Sequence, residues 1–370
     1  MDTNASPTQT FLHASPLPWL LEPADPGVRY LALRDLCRLP HDDPDLAAAR
    51  TAAHQSGPIA AVLDAMDPAG FWIKPGPGYG PKYHSTVWAM ILLAELGASV
   101  AAGERVATAC RYVLDNALAA GGQFTYSGAP SGTIDCLQGN LCWALLELGC
   151  TDERLDAALD WMARSVTGEG IAPAQSTQAD RNRQAAQDKR GGRDTRPRYF
   201  ASLKCGPCFA CRINDSQPCA WGAVKVMLAL SVIPVRQRTP QIEAAIAAGV
   251  DYLLSIDPAT AAYPTTAGRA PSRNWWAFGF PVFYVTDLLQ LAQALTNLGL
   301  AGDARLANLL ALIANKQDAA GRWPLEYVYG TKTWGSFGRK NHPNKWVTLR
   351  AARVLAGNLY AQLGAVEQHA

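Results

Sequence analysis

The sequence predicts an all-α fold: a closed (α/α)6 toroid of inner and outer helices, with a long cysteine-bearing insertion before the fourth inner helix. Three observations predict it. Apolar residues recur at three- and four-residue spacing through most of the chain. No segment alternates over six residues between turn signals, as a half-buried strand would. The helical segments also recur in pairs, with a period of about fifty residues.

The first helix of the first pair spans 27–38 and stops at Leu36-Cys37-Arg38-Leu39-Pro40; Asp43-Pro44 then sets a capping carboxylate and an N1 proline at the mouth of its partner. Segment 84–96 ends in Leu-Ala-Glu-Leu-Gly at Gly97 and is followed by the more polar 104–118. Segment 136–148 ends at Gly149, and Thr151 followed by Asp152 and Glu153 starts 152–165. The fourth pair is 219–232, closing on Pro234, and 240–255, opened by Thr239-Pro240. Segments 283–298, ending at Gly299, and 303–316 form the fifth, and 345–358 is the sixth first helix. Three glycine–aromatic turns follow second helices, at 67–72, 119–124 and 318–323. Six pairs can close into a ring with the more apolar first helices inside; the alternative, an open solenoid, needs capping repeats with polar outer faces. The chain thus divides into an extension over 1–24, one toroid domain over 25–362 with an insertion at about 167–217, and a tail over 363–370.

Composition narrows the function. Of 370 residues, 49% are apolar and 17% charged, which excludes a disordered or fibrous chain. A net charge of +2 supplies no drive towards nucleic acid. No apolar run reaches the ~20 residues of a membrane span, which leaves only peripheral membrane contact open. The start lacks the basic region of a signal peptide. Nine cysteines, an odd number with four of them between Cys205 and Cys219, suit metal ligation in a reducing, cytoplasmic setting better than a disulfide framework.

Gln317 to Trp323 fits the Gln-x3-Gly-x-Trp core of the QW repeats of squalene and terpenoid cyclases, and the turns ending at Trp72 and Phe124 look like degenerate copies with Met66 and Leu118 in place of the glutamine. From about 25 to 362 the chain resembles the terpenoid cyclase and protein prenyltransferase superfamily, and more closely its stand-alone bacterial squalene-cyclase-like members. That resemblance implies the toroid and a hydrophobic, isoprenoid-like small molecule as partner. The catalytic apparatus does not carry over. There is no Asp-x-Asp-Asp acid, since Asp42-Asp43-Pro44-Asp45 has another order and sits at a helix cap. The prenyltransferase zinc pattern, Asp-x-Cys with a later His, is met only by the adjacent Asp135-Cys136 and by His342.

The strongest chemical signal is Cys205-x2-Cys208-x2-Cys211, then Cys219. Thiolates two residues apart can converge on one ion, and tetrahedral zinc is their commonest partner; an iron–sulfur cluster is the alternative cofactor. In the ring, Cys136 opens the third inner helix and Cys219 the fourth, so a site from these two and two of the three loop thiols is natural, without saying which loop thiol is left out. Cys37, Cys110, Cys142 and Cys150 read as buried free thiols. Within the insertion, 180–198 carries seven Arg/Lys and three Asp and reads as a solvated loop or an electropositive lid.

Inner helices that start at one end of a ring share a mouth. His84, Asp135, Asp287 and Lys345 stand near those starts and are the acid/base candidates, with Trp88, Trp221, Trp275, Trp276, Tyr284 and Trp346 as a wall for substrate. Asp287 lies amid apolar residues, where it would serve as a proton donor or else pair with Lys345, Arg350 being the less favoured partner. Three functions compete: acid/base chemistry on an isoprenoid-like molecule, a zinc-stapled binding scaffold without catalysis, and thiol chemistry at an open zinc, as in the prenyltransferases and lanthionine cyclases that the fold resembles.

Overall fold

The structure, a computed structural model, describes residues 12–172, 199–266 and 269–367. The basic segment 180–198 lies outside the described residues. Among those described the chain is mostly helical, and no helix is long and apolar enough to cross a membrane.

The helices are α1 (Leu17–Leu20), α2 (Pro26–Asp35), α3 (Pro44–Gln55), α4 (Gly57–Asp64), α5 (Thr86–Leu96), α6 (Glu104–Asn116), α7 (Asp135–Glu147), α8 (Glu153–Thr167), α9 (Ala220–Ser231), α10 (Pro240–Leu253), α11 (Leu288–Leu295), α12 (Ala307–Ala314) and α13 (Lys345–Glu367). Their ends reflect local chemistry. Asp43 caps α3 by accepting from Asp45 and Leu46 N–H, Asp152 caps α8, and Thr239 caps α10 ahead of its N1 proline. Gly97 ends α5 at φ +84°, a left-handed conformation that costs glycine little.

Helices α2, α5, α7, α9, α11 and α13 form the inner layer. Among the inner helices α5 packs on α7, α7 on α9, α9 on α11 and α11 on α13, and α13 returns to pack on α2. Leu31 of α2 abuts Gly97 at the end of α5. Outside them α3 lies on α2, α6 on α5, α8 on α7, α10 on α9 and α12 on α11. The core is one continuous cluster along this inner layer.

The tightest approach is between α7 and α9. Gly139 lies directly on the backbone of Lys225 and Val226, and Gly222 on α9 lies against Asp135, where an added Cβ would stand 2.9 Å from the Asp135 Cβ. Two residues without side chains let two inner helices meet backbone to backbone, which brings the starts of α7 and α9 together.

The three glycine–aromatic turns share one hydrogen-bond pattern. Asp67 N donates to Phe71 O, Ala119 N to Gln123 O and Asp318 N to Arg322 O, and Gly70, Gly122 and Gly321 all have positive φ. The closing aromatic donates its backbone N–H to a side chain on the next inner helix: Trp72 to Thr86, Phe124 to Gln138, Trp323 to Thr348. Trp72 and Trp323 each send the indole N–H back to a carbonyl of the preceding helix, at 2.8 Å and 2.7 Å. The turns at 67–72 and 318–323 are thereby bonded to both helices they join, and the turn at 119–124 to the helix that follows it.

One expectation needs correction, and the insertion adds a detail. Among the described residues the strands are all of two residues and lie in or at the edge of the insertion: β1 (Ile171–Ala172) pairs parallel with β2 (Tyr199–Phe200), and β3 (Cys205–Gly206), β4 (Ala210–Cys211) and β5 (Gln217–Pro218) form an antiparallel sheet. They are too short to show alternation. The fifth inner helix starts at Leu288 rather than 283, because Phe283 at φ +48° leaves the helical region and Asp287 is the cap of α11.

Gly139→Ala would drive a methyl group into the α9 backbone. The expected loss is about 2–3 kcal/mol, read as a lower urea midpoint than that of the unaltered chain, whereas Gly76→Ala, where nothing lies within reach of the new Cβ, serves as the comparison for backbone strain alone.

Candidate functional site

Two chemically distinct places lie at opposite ends of the inner helices. At the starts of α7 and α9 stand the cysteines. Cys219 is the N-cap residue of α9; its side chain makes no capping hydrogen bond, but the Gly222 N–H is near enough to favour its thiolate. Cys136 is the second residue of α7. In the three-stranded sheet Cys205 pairs across from Cys211, and the sheet is anchored on the helical layers: the Cys205 thiol donates to Thr133 O at 3.6 Å, Ser202 bonds the same carbonyl, and Phe209 is buried against Tyr252. Cys208 sits at the tip with φ +52° and is exposed.

The four remaining thiols influence one another. The Cys219 thiol donates to Cys211, and with Ile213 and Asn214 N–H groups also pointing at that sulfur, Cys211 is held down at about 6. Cys219 is correspondingly raised, first by that hydrogen bond and then by burial. Burial pushes Cys136 up to about 12, with Asp135 and Cys211 adding repulsion, and raises Cys205 against the Asp135 carboxyl. Asp135 itself is lifted to about 7 by burial, and its Oδ2 has no hydrogen-bond partner. Among the described residues, no three His, Cys, Asp or Glu side chains stand as a preformed metal-holding group. A pocket of about 200 Å³ beside Cys211 and Cys219 is walled by Trp221, Tyr263 and Trp275.

The acid/base candidates do not converge. Asp287 is 3% exposed and holds Arg350, 6% exposed, through two bonds of 2.9 and 2.8 Å, while its Oδ1 also accepts the Gln290 N–H. Lys345, the partner that the sequence favours for Asp287, instead binds Glu22 and Asp25 at 2.8 and 2.7 Å near the surface. The correction has a simple cause: Arg350 lies more than a turn further along α13 and faces the interior, where a one-turn count from the helix start does not reach. His84 sets its ring edge-on to Trp334 and gives its carbonyl to that indole N–H. Asp135 belongs to the cysteine end.

Of the aromatic candidates, Trp88, Trp221, Trp275 and Tyr284 join Tyr79, Tyr83, Phe283 and Tyr329 in a mutually packed cluster, with centroid separations of 4.6 to 6.4 Å. The space left beside Cys136 and Asn140 within it is only about 10 Å³. Trp276 bonds Ala259 O, and Trp346 stacks on Phe280 apart from that cluster.

The roomier cavity, about 490 Å³, lies at the other end, where α2, α5, α7 and α9 finish and α11 and α13 pass. Glu95 and Arg350 line it, with Lys225 just behind. Lys225 is fully buried, donates to Phe283 O at 2.5 Å and to Gln290 Oε1, and burial lowers it to about 7. Glu95 accepts the Val282 N–H, and burial raises it to about 7 against the pull of Arg350 and Lys225. Sequence reading passes over both residues, though a single charge inside Ala-Val-Lys-Val-Met and inside Leu-Ala-Glu-Leu is the signal that marks them.

Several solved structures are remotely similar to the chain, including two that match over most of its length. A protein from Actinoplanes is 14% identical, covering 84% of this chain and 99% of its own, at a TM-score of 0.31. The type II terpene cyclase MstE from Scytonema, in complex with geranylgeranyl dihydroxybenzoate, is 13% identical over 85% of this chain and 96% of its own, at a TM-score of 0.27. No family model and no curated protein matches the chain.

Asp287→Asn would leave the Arg350 guanidinium buried without its counter-charge. The expected cost is about 3–5 kcal/mol, measured by urea unfolding; a loss below about 1 kcal/mol would show that Arg350 finds water or another partner. For Glu95 the folded chain keeps a proton that the unfolded chain releases above its ordinary value of 4.5. Its contribution to stability is therefore complete below pH 4.5 and is lost as pH rises to about 7. Lys225 acts in a separate window, its cost easing from pH 7 up to its ordinary 10.5. Urea melts at a series of pH values should show a shallower decline between pH 4.5 and 7 for Glu95→Gln than for the unaltered chain.

Proposed function

We propose that the chain is a closed (α/α)6 toroid stapled by zinc, acting as a binding scaffold, with the metal held by Cys136, Cys205, Cys211 and Cys219. One observation carries this reading: the insertion turns Cys205 and Cys211 inwards to the thiols at the starts of α7 and α9 and leaves Cys208 exposed. The donor chemistry fits. Backbone N–H groups beside Cys211 and Cys219 act to lower both thiols, which favours the thiolate that a soft cation requires, and a positive ion would relieve the repulsion now felt among Asp135, Cys136 and Cys211. Bound there, zinc would supply folding free energy by tying the sheet of the insertion to two inner helices. The succession of inner helices, with α13 on α2, supports ring closure.

This favours the scaffold over acid/base chemistry on an isoprenoid-like molecule. The aromatic cluster is filled by its own rings, and Asp287 is committed to Arg350. Four sulfurs would also close the metal against substrate, which sets aside thiol activation.

Elemental analysis of protein purified without chelator should find one zinc per chain. Chelation should expose four further thiols to a titrating reagent and lower the melting temperature. Cys208→Ser should keep the metal, while Cys136→Ser and Cys219→Ser should lose it. A metal-free protein, a metal that requires Cys208, or a brown iron–sulfur chromophore would overturn the assignment.

A further inference from the structure

We propose that the cavity among the C-terminal ends of the inner helices is a second binding site, for a small polar molecule carrying an oxyanion, a carboxylate or a phosphate. It lies apart from the cysteine end. α7 alone, 13 residues long, puts ~20 Å between its first and last turns at about 1.5 Å per residue. Its volume of about 490 Å³ falls in the range of small-molecule sites.

The wall carries guanidinium groups in a shape suited to oxyanions. Arg34, Arg38, Arg350 and Arg353 line the cavity, against the carboxyl groups of Asp35, Glu95 and Glu147. Arg34 bridges Asp35 at 2.6 Å and Glu147 at 3.4 Å, and Arg353 shares Asp35, so the groups are held in place before any ligand arrives. Arg350 is held from behind by Asp287 and Gly279 O. Planar N–H forks fixed in this way match carboxylate and phosphate geometry.

Arg353 Nε and the Trp143 indole nitrogen have no partner but are covered over, so the donors offered to a guest are the guanidinium groups of the lining arginines. Such donors suit an acceptor-rich guest better than a donor-rich one. The helix C-termini contribute partial negative charge, which by itself would favour a cation. That contribution fades within a turn, and the lining carries four arginines against three carboxyl groups, a positive balance. Burial keeps Glu95 protonated for much of the time near neutrality, which tips the balance further towards positive.

The test is isothermal titration of the full-length protein with inorganic phosphate, with citrate and with glucose as a neutral hydroxylated probe, at low ionic strength. Saturable binding of phosphate or citrate, weakened by added salt, is expected, with no binding of glucose. Arg353→Gln should weaken oxyanion binding about tenfold, and Arg353→Lys, which keeps the charge and loses the fork, should fall between. Thermal melts establish that each variant is folded; should Arg353→Gln fail to fold, the lysine variant and the wild-type titrations decide. No saturable binding of either oxyanion, glucose binding more tightly than both, or unchanged affinity in a folded variant would overturn the proposal.

Discussion

The arrangement depends on a buried charge. Arg350 enters the inner layer from α13 and meets Asp287, which also caps α11. Two ions brought this far from water are costly unless every donor and acceptor is engaged. Here they nearly are: the carboxylate takes two guanidinium bonds and a helix N–H, and the guanidinium has Gly279 O besides. Lys225 repeats the device next door, tying α9 to Phe283 O and to Gln290 of α11. Three inner helices and the 279–287 segment are thus held by polar bonds whose partners admit few alternatives, where apolar packing alone would tolerate sliding.

The same contacts set the character of the two ends. On the aromatic side the space among the inner helices is taken up by rings, and Tyr83 and Phe283 accept positive φ and pack against Tyr329. The polar side retains room because arginines and carboxylates hold one another apart at fixed distances. Sulfur gathers at the first end because Gly139 and Gly222 let α7 and α9 approach backbone to backbone.

Much of the architecture was legible. The apolar period, the capping residues Asp43, Asp152 and Thr239, and the stop at Gly97 are local signals, and each acts through the few residues around it. The neighbourhood of Cys136 and Cys219 came from counting helices. The candidate site was legible only in part. Which loop thiol turns away depends on the left-handed backbone at Cys208, and the two-residue strands around it leave no periodic trace.

By itself the sequence determined the helices, their pairing and the residues available to each end, because hydrogen-bonded turns and amphipathic faces are properties of short stretches. Tertiary structure alone decided that Asp287 meets Arg350 while Lys345 stays with Glu22 and Asp25, and that Glu95 and Lys225 face one another's fields in the interior. A charge chooses its partner by distance and desolvation, and both are set by how helices far apart in the chain come to rest against each other.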